Sequence, residues 1–170
     1  MRLSQTSATT NTSGPVAFRQ PRTSDGARIH RLAADTGVLD VNSVYAYVLW
    51  CHDFSSTSVV AEVGGRIAGF ITGYRRPDDP SVLMVWQVGV DEEFRGRGIA
   101  AGMLHHLLDL VAVLGVHVLH TTISPDNEAS QRLFASVAQR RGLTVTRRPL
   151  FAARELGDGH EDEDLYVLAP

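Results

Sequence analysis

The segment Met84–Ala101, M-V-W-Q-V-G-V-D-E-E-F-R-G-R-G-I-A-A, limits what this chain can fold into more than any other. Val82 to Val90 is an apolar run bounded by turn-type residues, the pattern of a buried strand. An acidic connector, Asp91-Glu92-Glu93, and a glycine loop, Arg95-Gly96-Arg97-Gly98, follow it. A helical pattern then begins at once, with Ile99, Met103, Leu107, Val111 and Leu114 on one face. Strand, glycine loop and helix N-terminus together make an anion cradle, because first-turn N–H groups lack partners and the helix dipole favours negative charge. Gly96 and Gly98 allow close backbone approach, and Arg95 and Arg97 add cationic donors. The stretch predicts a phosphorylated cofactor.

The choice of cofactor narrows by exclusion. From Gly96 the chain reads G-R-G-I-A-A, short of the G-x-G-x-x-G dinucleotide fingerprint. A phosphate loop of the G-K-[ST] kind needs a lysine, and all 16 Lys+Arg positions are arginine. The same absence excludes Schiff-base chemistry on a lysine. A net charge of −3 argues against a nucleic-acid surface, which is normally strongly basic. No apolar run is long enough to cross a membrane. Cys51 is the single cysteine, so no intrachain disulfide forms, which suits a cytoplasmic location. Residues 1–15, rich in Ser and Thr and poor in apolar groups, read as a disordered tail, leaving residues 16–170 as one domain.

Along that domain, Val16 to Arg19 reads as a first strand. Thr23-Ser24-Asp25 reads as the cap of a helix carrying Ile29, Leu32 and Ala33 and stopped by Gly37. Asp40, Asn42 or Ser43 caps a second helix bearing Tyr45, Tyr47 and Trp50. Ser58–Val63, Gly64-Gly65 and Arg66–Tyr74 form a hairpin. After the central strand and helix come a strand over Val116–Ile123 and a helix begun by Ser124-Pro125-Asp126-Asn127 and closed by Gly142. Two short strands, Leu143–Arg147 and Leu165–Leu168, flank a long loop over Arg148–Asp164. Loops of that length are usually functional or disordered.

With these elements in place, Arg95-x-x-Gly98-x-Ala100 resembles the pyrophosphate loop of the GCN5-related N-acetyltransferases (GNAT). Asn127-Glu128-Ala129-Ser130-Gln131-Arg132-Leu133-Phe134 is similar to a second motif of that family, in the right order. The resemblance implies an α/β (α+β) acetyltransferase fold: a mixed, mostly antiparallel sheet of about six or seven strands flanked by about four helices. It implies acetyl-CoA as co-substrate, held by Val88, Val90, Arg95, Gly96, Arg97, Gly98, Ala100, Asn127, Ser130 and Phe134, without a metal. Further segments resemble the diaminobutyrate acetyltransferases: Leu39–Tyr47, Thr57–Ala61, Val85–Asp91, Thr121–Ser130 and Gly159-His160-Glu161. That likeness implies acetylation of the 4-amino group of L-2,4-diaminobutyrate, on the route to ectoine, by a homodimer. Acetylation of another small amine, or acyl-CoA sensing without catalysis, would keep the glycine loop and change the amine pocket.

A substrate with two ammonium groups and one carboxylate asks for carboxylates, aromatic faces and a few donors. Asp40, Tyr45, Tyr47 and Trp86 offer them near the central strand, and His160-Glu161-Asp162-Glu163-Asp164 could fold over it. The resemblance places substrate contacts on Asp40, Tyr45, Trp86, His160 and Glu163. Each has a plainer reading: Asp40 as a helix cap, Trp86 as core, the tyrosines as a packing face, the acidic run as a solvated loop. An ammonium with an ordinary pKa of about 10.4 needs a base before it can attack a thioester. Glu163, Asp40 and His160 are the candidates. Backbone N–H groups around Val88–Val90 are placed to stabilise an oxyanion. Relatives use a tyrosine to protonate the leaving thiolate where this chain has Phe134, which leaves Tyr45, Tyr47, water, or no acid. Cys51-His52-Asp53 is no triad, since helix neighbours point about 100° apart.

Overall fold

A computed structural model describes residues 13–170, so the tail read over residues 1–15 lies outside the described residues except for its last three. Seven strands form one sheet in the order β1-β2-β3-β4-β5-β7-β6. They are β1 (Ala17–Arg19), β2 (Val59–Val63), β3 (Arg66–Arg75), β4 (Val82–Val90), β5 (Val118–Ile123), β6 (Thr144–Phe151) and β7 (Glu163–Ala169). The helices are α1 (Gly26–Thr36), α2 (Val44–Asp53), α3 (Ile99–Ala112), α4 (Glu128–Arg141) and a single turn, α5 (Ala153–Leu156). Every pairing is antiparallel except that of β4 with β5. The order of elements follows the sequence reading, with α5 added.

Two cores lie on opposite faces of the sheet. α3 and α4 bury Ile99, Met103, Leu107, Val111, Phe134 and Val137 against Ile71, Leu83, Val85, Leu119 and Leu168. α1 and α2 bury Ile29, Leu32, Ala33, Tyr47 and Cys51 against Val60, Ile67 and Phe70. Leu114, read as part of the α3 face, falls beyond the helix end and is half-exposed. Gly37 and Gly142 end α1 and α4 in the left-handed conformation, as expected of glycine past a helix end. Arg19 holds the start of the domain together, donating to Asp25 at 2.7 Å and to Glu62 at 2.8 Å.

The C-terminal part departs most from the sequence reading. β6 runs to Phe151, four residues further than read, through Pro149. Proline costs a central strand a ladder bond, but β6 is the edge of the sheet, where that N–H would have had no partner. β7 begins at Glu163, so the expected long loop shrinks to α5 and a short acidic return. Backbone N–H groups of Ala152 and Ala153 donate to Glu155 and Asp162 at 2.8 and 2.7 Å and fold that return. Arg147 donates to the buried carboxylate of Asp164 at 2.7 Å and ties β6 to β7.

Helices α3 and α4 are joined by Arg141, which donates to His105 Nδ1 at 3.0 Å and to Asp109 at 2.8 Å. An imidazole nitrogen that accepts from a guanidinium must be unprotonated. Burial first, and then Arg141 and Arg140, hold His105 below its ordinary 6.5. The folded state therefore binds fewer protons than the unfolded chain below about pH 6.5, and the joint weakens as pH falls. The Tm advantage of wild type over His105→Asn is expected to shrink between pH 7.5 and 5 in thermal unfolding. An advantage that grows towards acid would contradict this account.

Candidate active site

The central feature is the parting of β4 from β5. They pair only from Val82↔Val118 to Val85↔Thr121, and β4 then runs on without β5. The register with β3 slips at the same place: Thr72 faces Gln87, Gly73 faces Val85, and Trp86 is left between them as a bulge. A bulge bends its strand and interrupts the alternation of side chains. Leu83 and Val85 face α3, as do Val88 and Val90 beyond the bulge, while Gln87 is turned to the other face. The N–H groups of Gln87 and Asp91 point towards β3, donating to Thr72 Oγ1 and the Ala68 carbonyl at 3.2 and 2.9 Å. By strand alternation, the N–H and C=O groups of Val88 and Val90 point to the side that β5 has left.

A cleft of about 600 Å³ opens there. Its walls include Asp40 before α2, Trp86, Gln87 and Val88 of β4, Thr122 of β5, and Asn127, Ser130 and Phe134 at α4. His160 and Glu163 close it from the C-terminal side. Asp40, Trp86, His160 and Glu163, four residues singled out in the sequence, thus share one cleft. Asp40 is not the cap of α2. Ser43 is, accepting from the Ala46 N–H at 3.2 Å, which leaves the Asp40 carboxylate exposed beside the cleft. Trp86 is not core either, being 41% exposed and packed on Trp50 with ring centroids 4.6 Å apart. Phe54 backs Trp50 in turn at 4.8 Å.

The tyrosines are placed otherwise. Tyr45 is 73% exposed on the outer side of α2 and does not line the cleft. Tyr47 is buried in the second core and donates its hydroxyl to Gln87 Oε1 at 3.1 Å. Position governs this: Tyr47 and Cys51 are one helical turn apart and form the buried stripe of α2. The cleft's own phenol is Tyr74, which the sequence reading passed over, as it did Gln87 and Thr122. The Cys51 thiol is buried, and burial raises its pKa to about 11, so it offers no nucleophile.

Burial pushes the Glu163 carboxyl above its ordinary 4.5. A hydrogen bond from Thr122 opposes the shift, and Asp40, Asp126 and Asp164 add to it by charge repulsion. Such a carboxylate accepts a proton more readily than a solvated one.

The open backbone of β4 leads into the glycine loop. Gly96 and Gly98 have φ of 76° and 70°, the left-handed region that glycine enters freely. No side chain caps α3, so its first-turn N–H groups stay available to an anion. Phe94 anchors the turn before the loop, fully buried, with Arg66 and Arg97 over its ring at 5.1 and 6.0 Å. Arg95, Gly96, Arg97 and Ala100 surround this helix end, and a Cβ at either glycine would meet nothing within 4 Å.

A strand with open amides, a glycine loop on a helix N-terminus and a carboxylate-lined cleft define an acyltransferase site of a known kind. The model of the acetyltransferase (GNAT) family matches residues 27–138, and the chain belongs to that family. Its relatives are narrower. The L-2,4-diaminobutyric acid acetyltransferase of Nocardia farcinica is 53% identical over 157 residues, 92% of this chain and 81% of that one. The enzyme of the same name from Streptomyces coelicolor is 54% identical over 154 residues, 89% and 91% of the two chains. A solved structure of the Paenibacillus lautus diaminobutyrate acetyltransferase, in complex with its substrate and coenzyme A, superposes with a TM-score of 0.88. It is 42% identical and covers 92% of this chain and 96% of its own.

The loop geometry sets a direct expectation. Gly98→Asp combines a strained left-handed backbone with a carboxylate at the anion cradle. Isothermal titration should find coenzyme A binding weakened about tenfold or more, with the fold retained. An unchanged Kd in the folded variant would remove the loop from the site.

Proposed function

We propose that this chain transfers an acetyl group from acetyl-CoA to the 4-amino group of L-2,4-diaminobutyrate. The product is N4-acetyl-L-2,4-diaminobutyrate, a precursor of the compatible solute ectoine. The observation that carries the reading is the meeting of Asp40, Glu163 and Trp86 in one cleft beside the open backbone of β4. Two carboxylates and an aromatic face suit a diammonium substrate, and His160 supplies a donor for its carboxylate.

Acetyl-CoA, when bound, supplies an activated thioester acyl group. The chain's residues fit it: Arg95, Gly96, Arg97, Gly98 and Ala100 would hold its pyrophosphate, and Val88 and Val90 would offer it backbone amides. Asn127, Ser130 and Phe134 bound the far wall. Glu163 takes the proton of the reacting ammonium, and Asp40 pairs with the substrate's positive charge while raising the basicity of Glu163. Phe134 has no proton to give, so this position of α4 would supply no acid to a leaving thiolate. Residues 16–170 act as one catalytic unit in this reading. The protein works as a cytoplasmic homodimer, consistent with the exposed apolar residues Val41, Val44 and Leu49 around α2. Light scattering should return twice the 18.5 kDa of one chain, and the monomer mass would refute the dimer.

Steady-state rates on diaminobutyrate, ornithine and 1,4-diaminobutane test the assignment. Diaminobutyrate is expected to lead in kcat/KM, since a longer chain misplaces the amine and a missing carboxylate leaves donors unpaired. Asp40→Asn and Glu163→Gln should each lose about ten- to a hundredfold on it, the worth of a charged hydrogen bond, at near-constant affinity for coenzyme A. Equal rates on all three amines would sink the assignment.

The base is active only when deprotonated, so kcat/KM falls as pH drops through the raised pKa of Glu163. The acid limb is therefore expected above the ordinary glutamate range. Asp40→Asn removes one of the repelling charges and should move that limb to lower pH; a limb that stays in place would separate the two carboxylates.

A further inference from the structure

Residues 38–42 lie between the glycine that stops α1 and the serine that caps α2, with no regular structure of their own. Val38 is 84% exposed, and Asp40, Val41 and Ser43 are also on the surface. The contacts within the segment are local and long: Val38 N–H to Thr36 Oγ1 at 3.5 Å and Asn42 Nδ2 to the Asp40 carbonyl at 3.4 Å. Leu39 packs against the α1–α2 core. That apolar contact resists detachment but leaves the direction of Asp40 open. Among the described residues, one hydrogen bond joins this segment to the sheet: Gln87 Nε2 donates to the Asp40 carbonyl at 2.8 Å.

Gln87 is itself tightly constrained. It is 5% exposed, and both ends of its amide are used. Tyr47 donates to Oε1 at 3.1 Å, which fixes the amide and leaves Nε2 directed at Asp40. The Trp86 bulge is what turns Gln87 to this face, and without it the side chain would sit with Leu83 and Val85 against α3. Trp86 and Val88, its neighbours, both line the cleft. One strand residue thus connects the segment bearing the substrate-side carboxylate to the strand that offers the open amides.

We propose that Gln87 is a positioning residue: its buried amide fixes the backbone of Asp40, so that the Asp40 carboxylate stands at the height of the strand's open amides. The proposal rests on the acceptor assignment above. An apolar residue here would strand the Tyr47 hydroxyl and leave the Asp40 carbonyl only its long bond from Asn42, and a carboxylate would repel that carbonyl. The effect should appear on the amine substrate and spare the acyl donor, because the Gln87 side chain lies on the face away from α3 while Val88 and Val90 stay packed on it.

The test uses the full chain and the variants Gln87→Met, Gln87→Glu and Tyr47→Phe. In Gln87→Met, KM for diaminobutyrate is expected to rise about tenfold while KM for acetyl-CoA stays within about twofold. Endoproteinase Asp-N should cut before Asp40 about tenfold faster than in wild type. In Gln87→Glu, the ratio of variant to wild-type KM should fall from pH 8 to pH 6, as a protonated carboxyl regains a donor for the Asp40 carbonyl. Tyr47→Phe keeps the Asp40 bond but frees the amide to turn, and should raise KM about threefold. If Gln87→Met does not fold, the last two variants decide, and unchanged values in both overturn the proposal. Unaltered KM and cleavage in a folded Gln87→Met overturn it too, as does an equal rise in both KM values. Cleavage before Asp40 does not depend on the acceptor. Wild type inert towards diaminobutyrate, with Asp40 released in Gln87→Met, would refute the acceptor assignment and uphold the anchoring.

Discussion

The structure turns on a hydrogen-bond ladder that stops halfway. β4 and β5 are partners for four residues and then separate, at the place where Trp86 bulges out of register with β3. Backbone amides that lose their strand partner must be met by water or a ligand, so a sheet opens in its middle only where other contacts hold its halves together. Here α3, α4 and the C-terminal hairpin keep the halves together through one continuous core on the far face. The gap is therefore a stable feature, and its free amides are offered to a ligand.

The bulge sets three things at once. It ends the pairing, brings Trp86 to the cleft wall on its stack with Trp50, and turns Gln87 away from α3 towards Asp40. Beside this opening the Glu163 carboxyl is set among other carboxylates. Asp40, Asp126 and Asp164 all act on Glu163, which burial already disfavours as an anion. A cluster that is costly when empty is relieved by a cation, and a diamino acid brings two. The electrostatics that raise the basicity of Glu163 would also attract the proposed diammonium substrate.

Much of this was legible in the residues. Gly96, Gly98 and the apolar positions 99, 103, 107 and 111 stated the anion cradle, because left-handed glycines and helical spacing leave direct marks in a sequence. Asp40, Trp86, His160 and Glu163 were picked out by chemistry and resemblance, and they share a cleft. What stayed hidden was geometry without a compositional mark. Nothing in V-W-Q-V-G-V distinguishes a regular strand from one with a bulge at Trp86, so the role of Gln87 could not be read. Tyr45 and Tyr47 looked alike, and only the rotation of α2 separates an exposed ring from a core residue bonded to Gln87. Pro149 masked the length of β6, because its cost vanishes at a sheet edge that the sequence does not announce.

The central claim is that Glu163, Asp40 and the open amides of β4 present one particular amine of a diamino acid to an acyl donor. Two amines compete in that substrate, and the cleft geometry should choose between them. The most direct measurement is the position of acetylation, read by proton NMR on the product of a reaction with diaminobutyrate and acetyl-CoA. Acetylation at N4 alone is the predicted result. Acetylation at N2, a mixture of the two products, or no acetylated product would contradict the account.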